Sequence, residues 1–368
     1  MQNAEMIKVS VVMPIYNAYK YIRPALESVM EQTLRDIEII CVDDGSTDRT
    51  LDILKEYQSR DSRIRIVTEN NAGPAAARNK GLARVRGEYV IFLDADDFFN
   101  PELLEKLYDL AVRDRLDIAI CRYDIYNSRK ATFEPNIKSE HGNIFEPGKV
   151  VSKSEYPDEI LQCTTGYVWN KMYRTAFLNE QNLAFNPDLR VFEDTFFVVT
   201  SLSVADRIGK IEDCLVHHRV YFAQSRNRLF RKYYSCVPDI HLKIKDFLMS
   251  RGMYIPLSQS YLNLSASRCY KIYNLLWRDA EDEFWNMLHE GYAEKLGWDK
   301  AEPDDFESED VRDFVANVLI YTHKQYKKRE SLGLKVRISS VKRSIKALNA
   351  RKRFKEFFSK LFGKNKEN

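Results

Sequence analysis

Residues 37–48 read IEIICVDDGSTD, an Ile- and Val-rich run that breaks into an acidic, glycine-containing turn. A short apolar run of this kind is a buried β-strand, here over residues 37–42. Gly45 allows a tight turn, and Ser46, Thr47 or Asp48 can cap a following helix that extends to about Arg60. Working outward, residues 7–14 (IKVSVVMP) form a similar strand. It ends at Pro14, which cannot donate to a central ladder, and Ile15-Tyr16-Asn17 follow. Leu26, Val29 and Met30 then share one helical face, with Leu34 beyond. Downstream, residues 64–67 are a third short strand, and Asn70-Asn71-Ala72-Gly73-Pro74 leads into a helix with Arg78, Asn79 and Gly81. Residues 88–93 (EYVIFL) are a fourth strand, running into Asp94-Ala95-Asp96-Asp97. Strands alternating with helices predict a parallel sheet with right-handed crossovers. Ligands of such sheets bind beyond the carboxyl ends of the strands, so the polar clusters at 14–17, 43–48 and 94–97 are expected to converge.

Acidic strand ends without clustered His or Cys are hard oxygen ligands suited to Mg²⁺ or Mn²⁺. Such a metal keeps waters and shares its shell with a substrate diphosphate, to which Arg78 could add positive charge. No GxGxxG follows the first strand and no GxxxxGK[ST] occurs, which disfavours the common nucleotide loops.

VSVVMPIYN, SVMEQT, IICVDDGSTD, ENNAGPAAARNKGL and GEYVIFLDADD, in this order and spacing, resemble an inverting family-two glycosyltransferase of the GT-A fold, of the bacterial polysaccharide-biosynthesis type. The resemblance is strong over residues 7–100 and weaker to about 225. It implies an α/β fold with a Rossmann-like, mostly parallel central sheet. It also implies that Pro14 and Tyr16 line the nucleobase pocket and that Asp44 accepts the imide N–H of uracil, with Asp43 beside it. Arg78 would lie near base and diphosphate. Asp94 and Asp96 match the family's DxD, with Asp96 for the metal and Asp94 for the ribose or a metal-bound water. Capping accounts for Asp48, and for Asp97 ahead of the helix after Pro101; turn and packing roles account for Asn70, Gly73 and Asn79.

Residues 101–125 read as a helix and then a strand at 117–121, followed by a polar, irregular stretch at 126–158. The segment GYVWNKMYRTAF (166–177) resembles the family's turn beneath the acceptor site. Lys171 and Trp169 could touch substrate there, although core packing is the preferred reading of Trp169. Glu193 and Asp194 precede an apolar helical run, where acids complement the helix dipole. The resemblance assigns Asp194 as general base and leaves Glu193 to orient the site. One base with no carboxylate nucleophile means inversion. His217 and His218 alternate in a strand, so one faces the site; a structural role is weighed above a substrate or metal role for each. Arg219 and Ser225 are candidate diphosphate contacts.

The chain has 368 residues, of which 44% are hydrophobic and 12% aromatic, enough apolar material for a sizeable core. Three divisions are expected: a catalytic domain at 1–225 (nucleotide-binding half 1–100, acceptor half 101–225), a helical region at 226–330, and a tail at 331–368. Six cysteines, none spaced as CxxC, read as buried free thiols of a reducing compartment. No signal peptide or transmembrane run is evident. The tail carries a net +10 against −7 for the rest. Its apolar positions 354, 357, 358, 361 and 362 give one helical face among Arg351, Lys352, Arg353, Lys355 and Lys360, which suits an anionic membrane surface. The expected protein is cytoplasmic, peripheral on the inner face of the membrane, and binds no nucleic acid. Its expected substrates are a nucleotide-sugar donor, favoured as a UDP-sugar, and a glycan or polyprenyl-linked acceptor. A non-catalytic nucleotide-sugar-binding scaffold would be expected to lack the DxD or the Glu193-Asp194 pair. A sugar nucleotidyltransferase would need a Gly-rich, Arg-containing loop after the first strand, which PIYNAYKY does not supply.

Overall fold

β1 (Val9–Ile15) lies between β2 (Ile37–Asp43) and β4 (Tyr89–Phe92), parallel to both, and β2 pairs in parallel with β3 (Ile64–Thr68). The computed structural model describes residues 6–135, 144–146, 148–220 and 232–332. Every residue of β2 is buried, as expected for a parallel strand covered on both faces. The covering helices are α1 (Ile22–Met30), α2 (Thr50–Arg60) and α3 (Pro74–Leu82). α3 crosses β1 so closely that a Cβ on Gly81 would stand 2.3 Å from Val12 Cγ1. Pro14 sits one residue inside β1, tolerated because the ladder to β4 has ended at Val12–Phe92.

Glu38 is buried among the apolar residues in the middle of β2. Its carboxylate accepts from Ser10 Oγ (2.7 Å), the Arg86 N–H (2.7 Å), Arg86 Nε and Arg65 Nη1 (both 2.9 Å). Burial alone would raise its pKa; these donors outweigh it and hold the group below the usual carboxylate range.

Beyond β4 come β5 (Phe98–Phe99), α4 (Leu103–Arg113), β6 (Ile118–Asn127), β7 (Thr132–Pro135), β8 (Lys171–Arg174), α5 (Thr175–Glu180), α6 (Glu193–Val204) and β9 (Ile208–Val220). The order across the sheet is β3-β2-β1-β4-β8-β6-β9-β5, with β7 on β6. β8 runs antiparallel between β4 and β6, so the all-parallel pattern of the first half is interrupted. Part of the expected irregular stretch is regular: β6 continues to Asn127 and turns back as β7.

The chain divides into Met1–Asn227 with Asp246–Ser260, and Arg228–Lys245 with Tyr261–Asn368. Residues 246–260, placed by sequence in the helical region, group with the first unit. The second unit is helical as expected, with helices at Ser258–Tyr273, Asp279–Met287, Glu309–Ile320 and His323–Ser331. Trp285 stacks on Tyr326 at 4.3 Å, and Trp298 donates to Ser265 Oγ at 3.0 Å. The helix Glu309–Ile320 ends at Tyr321, and Thr322 and Gln325 form a capping box that starts the next one.

Among the described residues no helix is long and apolar enough to cross a membrane. All six cysteines are free, but Cys214 is exposed and Cys236 half-buried, unlike the other four. Ser225 and tail residues 333–368 lie outside the described residues.

Candidate active site at the carboxyl ends of the strands

The three polar clusters do meet. Register places Ile15 beside Asp43, so the loops after β1 and β2 leave the sheet together. Asn17 Oδ1 accepts the N–H groups of Thr47 (2.8 Å) and Asp48 (3.3 Å), while its own N–H donates to Ser46 Oγ (3.0 Å). In return, Asp48 accepts from the Tyr19 N–H (3.3 Å) and, as a cap, from the Thr50 N–H (2.9 Å). Asn17 holds φ +48°, a conformation Asn tolerates better than most residues. Tyr16 is half exposed at this rim.

Asp43 and Asp44 are both buried but differently employed. Asp44 accepts the N–H groups of Ala72 (2.8 Å) and Gly73 (2.9 Å), fastening the turn that starts α3. Asp43 Oδ1 is buried and has no hydrogen-bond partner among the described residues. A buried acceptor left unmet is disfavoured, so this oxygen is the better prepared of the two for an incoming N–H donor. Gly45, at φ +72°, is required here: a Cβ would lie 2.9 Å from the Asn71 nitrogen.

Arg78 joins two distant parts of the chain. Its Nη2 donates to Asp94 Oδ1 (2.7 Å) and its Nη1 to Glu193 Oε1 (2.8 Å), with the guanidinium over the Phe185 ring. Burial opposes its charge, but Asp94, Glu193 and Asp194 outweigh burial and keep it protonated. Two faces of the guanidinium are thus committed to carboxylates. Asn79 on the same helix exchanges hydrogen bonds with the N–H (2.9 Å) and C=O (2.8 Å) of Phe185, which secures the segment leading to Glu193.

Glu193 and Asp194 open α6, preceded by Phe192 in the left-handed region at φ +62°. Asp194 Oδ1 accepts the Thr195 N–H at 2.7 Å. Its carboxyl is pushed up to about 7, by burial first and by the Glu193 charge second, with Arg78 pulling the other way. A carboxylate poised near neutrality is what a general base requires.

At the end of β4, Asp96 is pushed up to about 7 by burial and by its neighbours Asp97 and Asp94. These acids are hard oxygen donors, but Asp94 is committed to Arg78, and among the described residues no group of three or more His, Cys, Asp or Glu side chains is placed to hold a metal ion. Asp97 is not the helix cap expected from sequence. Its carboxylate accepts the Arg219 N–H at 2.8 Å and lies 3.1 Å from His218 Nδ1 through both oxygens. His217 Nδ1 instead meets Asp124 Oδ1 at 2.8 Å, and Arg219 Nε donates to the Asp96 carbonyl at 2.8 Å.

Trp169 is core, 1% exposed. Lys171 is fully buried, and its ammonium donates to the carbonyls of Thr165 (2.9 Å) and Tyr167 (2.7 Å) and to Asn170 Oδ1 (2.8 Å). It shapes the turn from within and is not placed for the substrate contact expected of it. Sequence reading did not find the Asp97–His218 and Asp124–His217 pairs. The alternation of His217 and His218 along one strand was visible, but not that Asp97, just before β5, and Asp124, on β6, would meet them.

Residues 10–180 match the family described as Glycosyl transferase family 2. The chain is 32% identical over 239 residues to the uncharacterized glycosyltransferase EpsJ of Bacillus subtilis, covering 64% of this chain and 66% of EpsJ. It is 28% identical over 270 residues to the poly(ribitol-phosphate) beta-glucosyltransferase of Bacillus spizizenii, covering 70% of this chain and 40% of that one. The match thus spans less than two thirds of the length of either relative. Among solved structures, S. aureus TarS 1-349 in complex with UDP-GlcNAc superposes with a TM-score of 0.68 at 22% identity, covering 90% of this chain and 93% of that one. At that identity the likeness is one of fold.

Proposed function

We propose, from the premise that this chain belongs to glycosyltransferase family 2 through residues 10–180, that it moves a sugar from a UDP-sugar to a hydroxyl of a glycan or lipid-linked acceptor in surface-polysaccharide synthesis, with inversion. The observation that carries this reading is Asp194. It is a carboxyl near neutrality at a helix start, close to the Arg78 guanidinium that pairs with both Glu193 and Asp94. Asp194 takes the proton of the acceptor hydroxyl as that oxygen bonds to the anomeric carbon, and the bond from that carbon to the UDP oxygen breaks from the opposite face. Arg78 positions Asp94 and Glu193, and Glu193 thereby orients the site.

Asp43 Oδ1, the unmet acceptor, receives the nucleobase N–H, Asp44 holds the adjoining turn, and Pro14 and Tyr16 lie beside the base. Asp96, with Asp94 near it, would hold Mg²⁺ or Mn²⁺, which would neutralise charge on the departing diphosphate. A UDP-sugar donor is supported by the UDP-GlcNAc complex of the TarS fold relative, and a polymeric acceptor by the ribitol-phosphate relative. The basic, Phe-containing sequence of residues 351–368 would hold the enzyme at the anionic inner face of the cell membrane. Deleting it should release the protein from anionic vesicles, and unchanged partitioning would refute that role.

The test is calorimetric titration of UDP with and without Mn²⁺, then a panel of nucleotide sugars, then transfer assays on Asp194→Asn. Metal-dependent UDP binding and loss of transfer in the variant are expected. No UDP binding under either condition, or transfer retained in Asp194→Asn, would overturn the reading.

A further inference from the structure

Tyr167, Trp169 and His218 make an arrangement that none of the roles above uses. The Tyr167 ring lies 4.8 Å from the Trp169 ring at an interplanar angle of 16°, and the His218 ring lies 5.2 Å from it, also at 16°. Tyr167 and His218 are themselves 5.8 Å apart. Rings stacked on opposite faces of one indole would stand roughly 10 Å apart, so both lie side by side on the same face. Trp169 is the floor beneath them, buried and braced edge-on by Tyr123 at 4.6 Å and 89°. The two upper rings keep partial exposure.

This pair sits between the two chemical ends of the site. His218 is fixed by Asp97, the neighbour of Asp96. Tyr167 follows Gly166, whose backbone packs against Thr195 so closely that a Cβ would lie 2.6 Å from Thr195 Oγ1. Thr195 is the residue whose N–H holds Asp194. The tyrosine end of the pair therefore lies next in sequence to the backbone packed on the residue that holds Asp194.

We propose that Tyr167 and His218 form a two-ring platform that receives the apolar face of the acceptor's pyranose ring, a subsite of the glycosyl transfer on whose reading this inference rests. The negative face of an aromatic ring attracts the weakly positive C–H groups of a sugar face. The platform therefore favours acceptors whose hydroxyls are equatorial and whose axial hydrogens form one continuous patch. It disfavours a sugar with an axial hydroxyl on that patch.

The experiment uses the full chain with its best donor and the p-nitrophenyl β-glycosides of glucose, N-acetylglucosamine and galactose as acceptors. Transfer is measured against hydrolysis of the same donor by water, for wild type, Tyr167→Leu and Tyr167→Phe. Leucine preserves apolar packing while removing the flat face, and UDP titration of each protein reports an intact donor half. The ratio of transfer to hydrolysis is expected to fall about tenfold in Tyr167→Leu, the upper range of one aromatic contact, and to recover in Tyr167→Phe. The equatorial acceptors are expected to lose most. A ratio unchanged in Tyr167→Leu overturns the platform. UDP binding without transfer to any glycoside by the wild type also overturns it, whereas no UDP binding at all overturns the underlying reading and the platform with it.

Discussion

Replacing Asp194 by Asn should make the protein more stable while abolishing transfer. In the folded chain the carboxyl is pushed up from 3.8 to about 7, by burial and by Glu193. Ionising it at alkaline pH therefore opposes folding. Moving a carboxyl over that range corresponds to about 4 kcal/mol, at roughly 1.4 kcal/mol per pH unit. Asp194 keeps some contact with water, which recovers part of the charge's solvation, so about 2 kcal/mol is the working figure. The sign follows from the direction of the shift. A raised folded-state pKa gives stability that is complete below about pH 4 and is lost as pH rises through about 7. Asparagine keeps an oxygen for the Thr195 N–H and carries no charge at any pH. Thermal unfolding at pH 8.5 should show Asp194→Asn melting about 4–8 °C above wild type, with roughly half that gap at pH 5.5. A variant that melts at or below wild type at pH 8.5 would refute the claim that the charge on this carboxylate is resisted by its surroundings.

The same carboxyl sets a pH–rate profile. Transfer should rise about tenfold per pH unit below about 7 and level off above it, and a rate flat from pH 5 to 8 would rule out Asp194 as the base. Asp43→Asn should weaken UDP binding by about tenfold in calorimetry while leaving the unfolding temperature nearly unchanged, because Asp43 Oδ1 has no partner to lose. Asp44→Asn should also lower the unfolding temperature, through the Ala72 and Gly73 N–H groups. Asn79→Ala should destabilise the protein by about 2 kcal/mol in denaturant titration, since it frees both backbone groups of Phe185.

The first hundred residues were legible because their signals are local. The apolar run of β2, the Gly45 turn and the capping acid Asp48 each act within a few positions. The strand ends converge by the rules of parallel crossovers, so the neighbourhood of Asp44, Arg78 and Asp94 could be foreseen. The contacts that tie it together could not. Arg78 meets Glu193 across 115 positions, and Asp97 meets His218 across 121. At short range an acid just ahead of a helix reads as a cap, and that reading misled for Asp97. β8 has only four residues, and its insertion between β4 and β6 depends on pairings with no local trace. Lys171 misled for a related reason: a charged residue suggests exposure until the carbonyls that receive it are seen.

The interlock of Asn17 with residues 46–48, and of Asp48 with Tyr19, bears on how donor preference can change. Each loop supplies side-chain oxygens to backbone N–H groups of the other. A graft that imports one of them from a relative with another nucleotide preference would arrive without its counterpart and leave several amides unmatched. Exchange should succeed only when residues 15–19 and 44–50 travel together. In a lineage of such enzymes, substitutions at these two short segments should then be inherited as a pair.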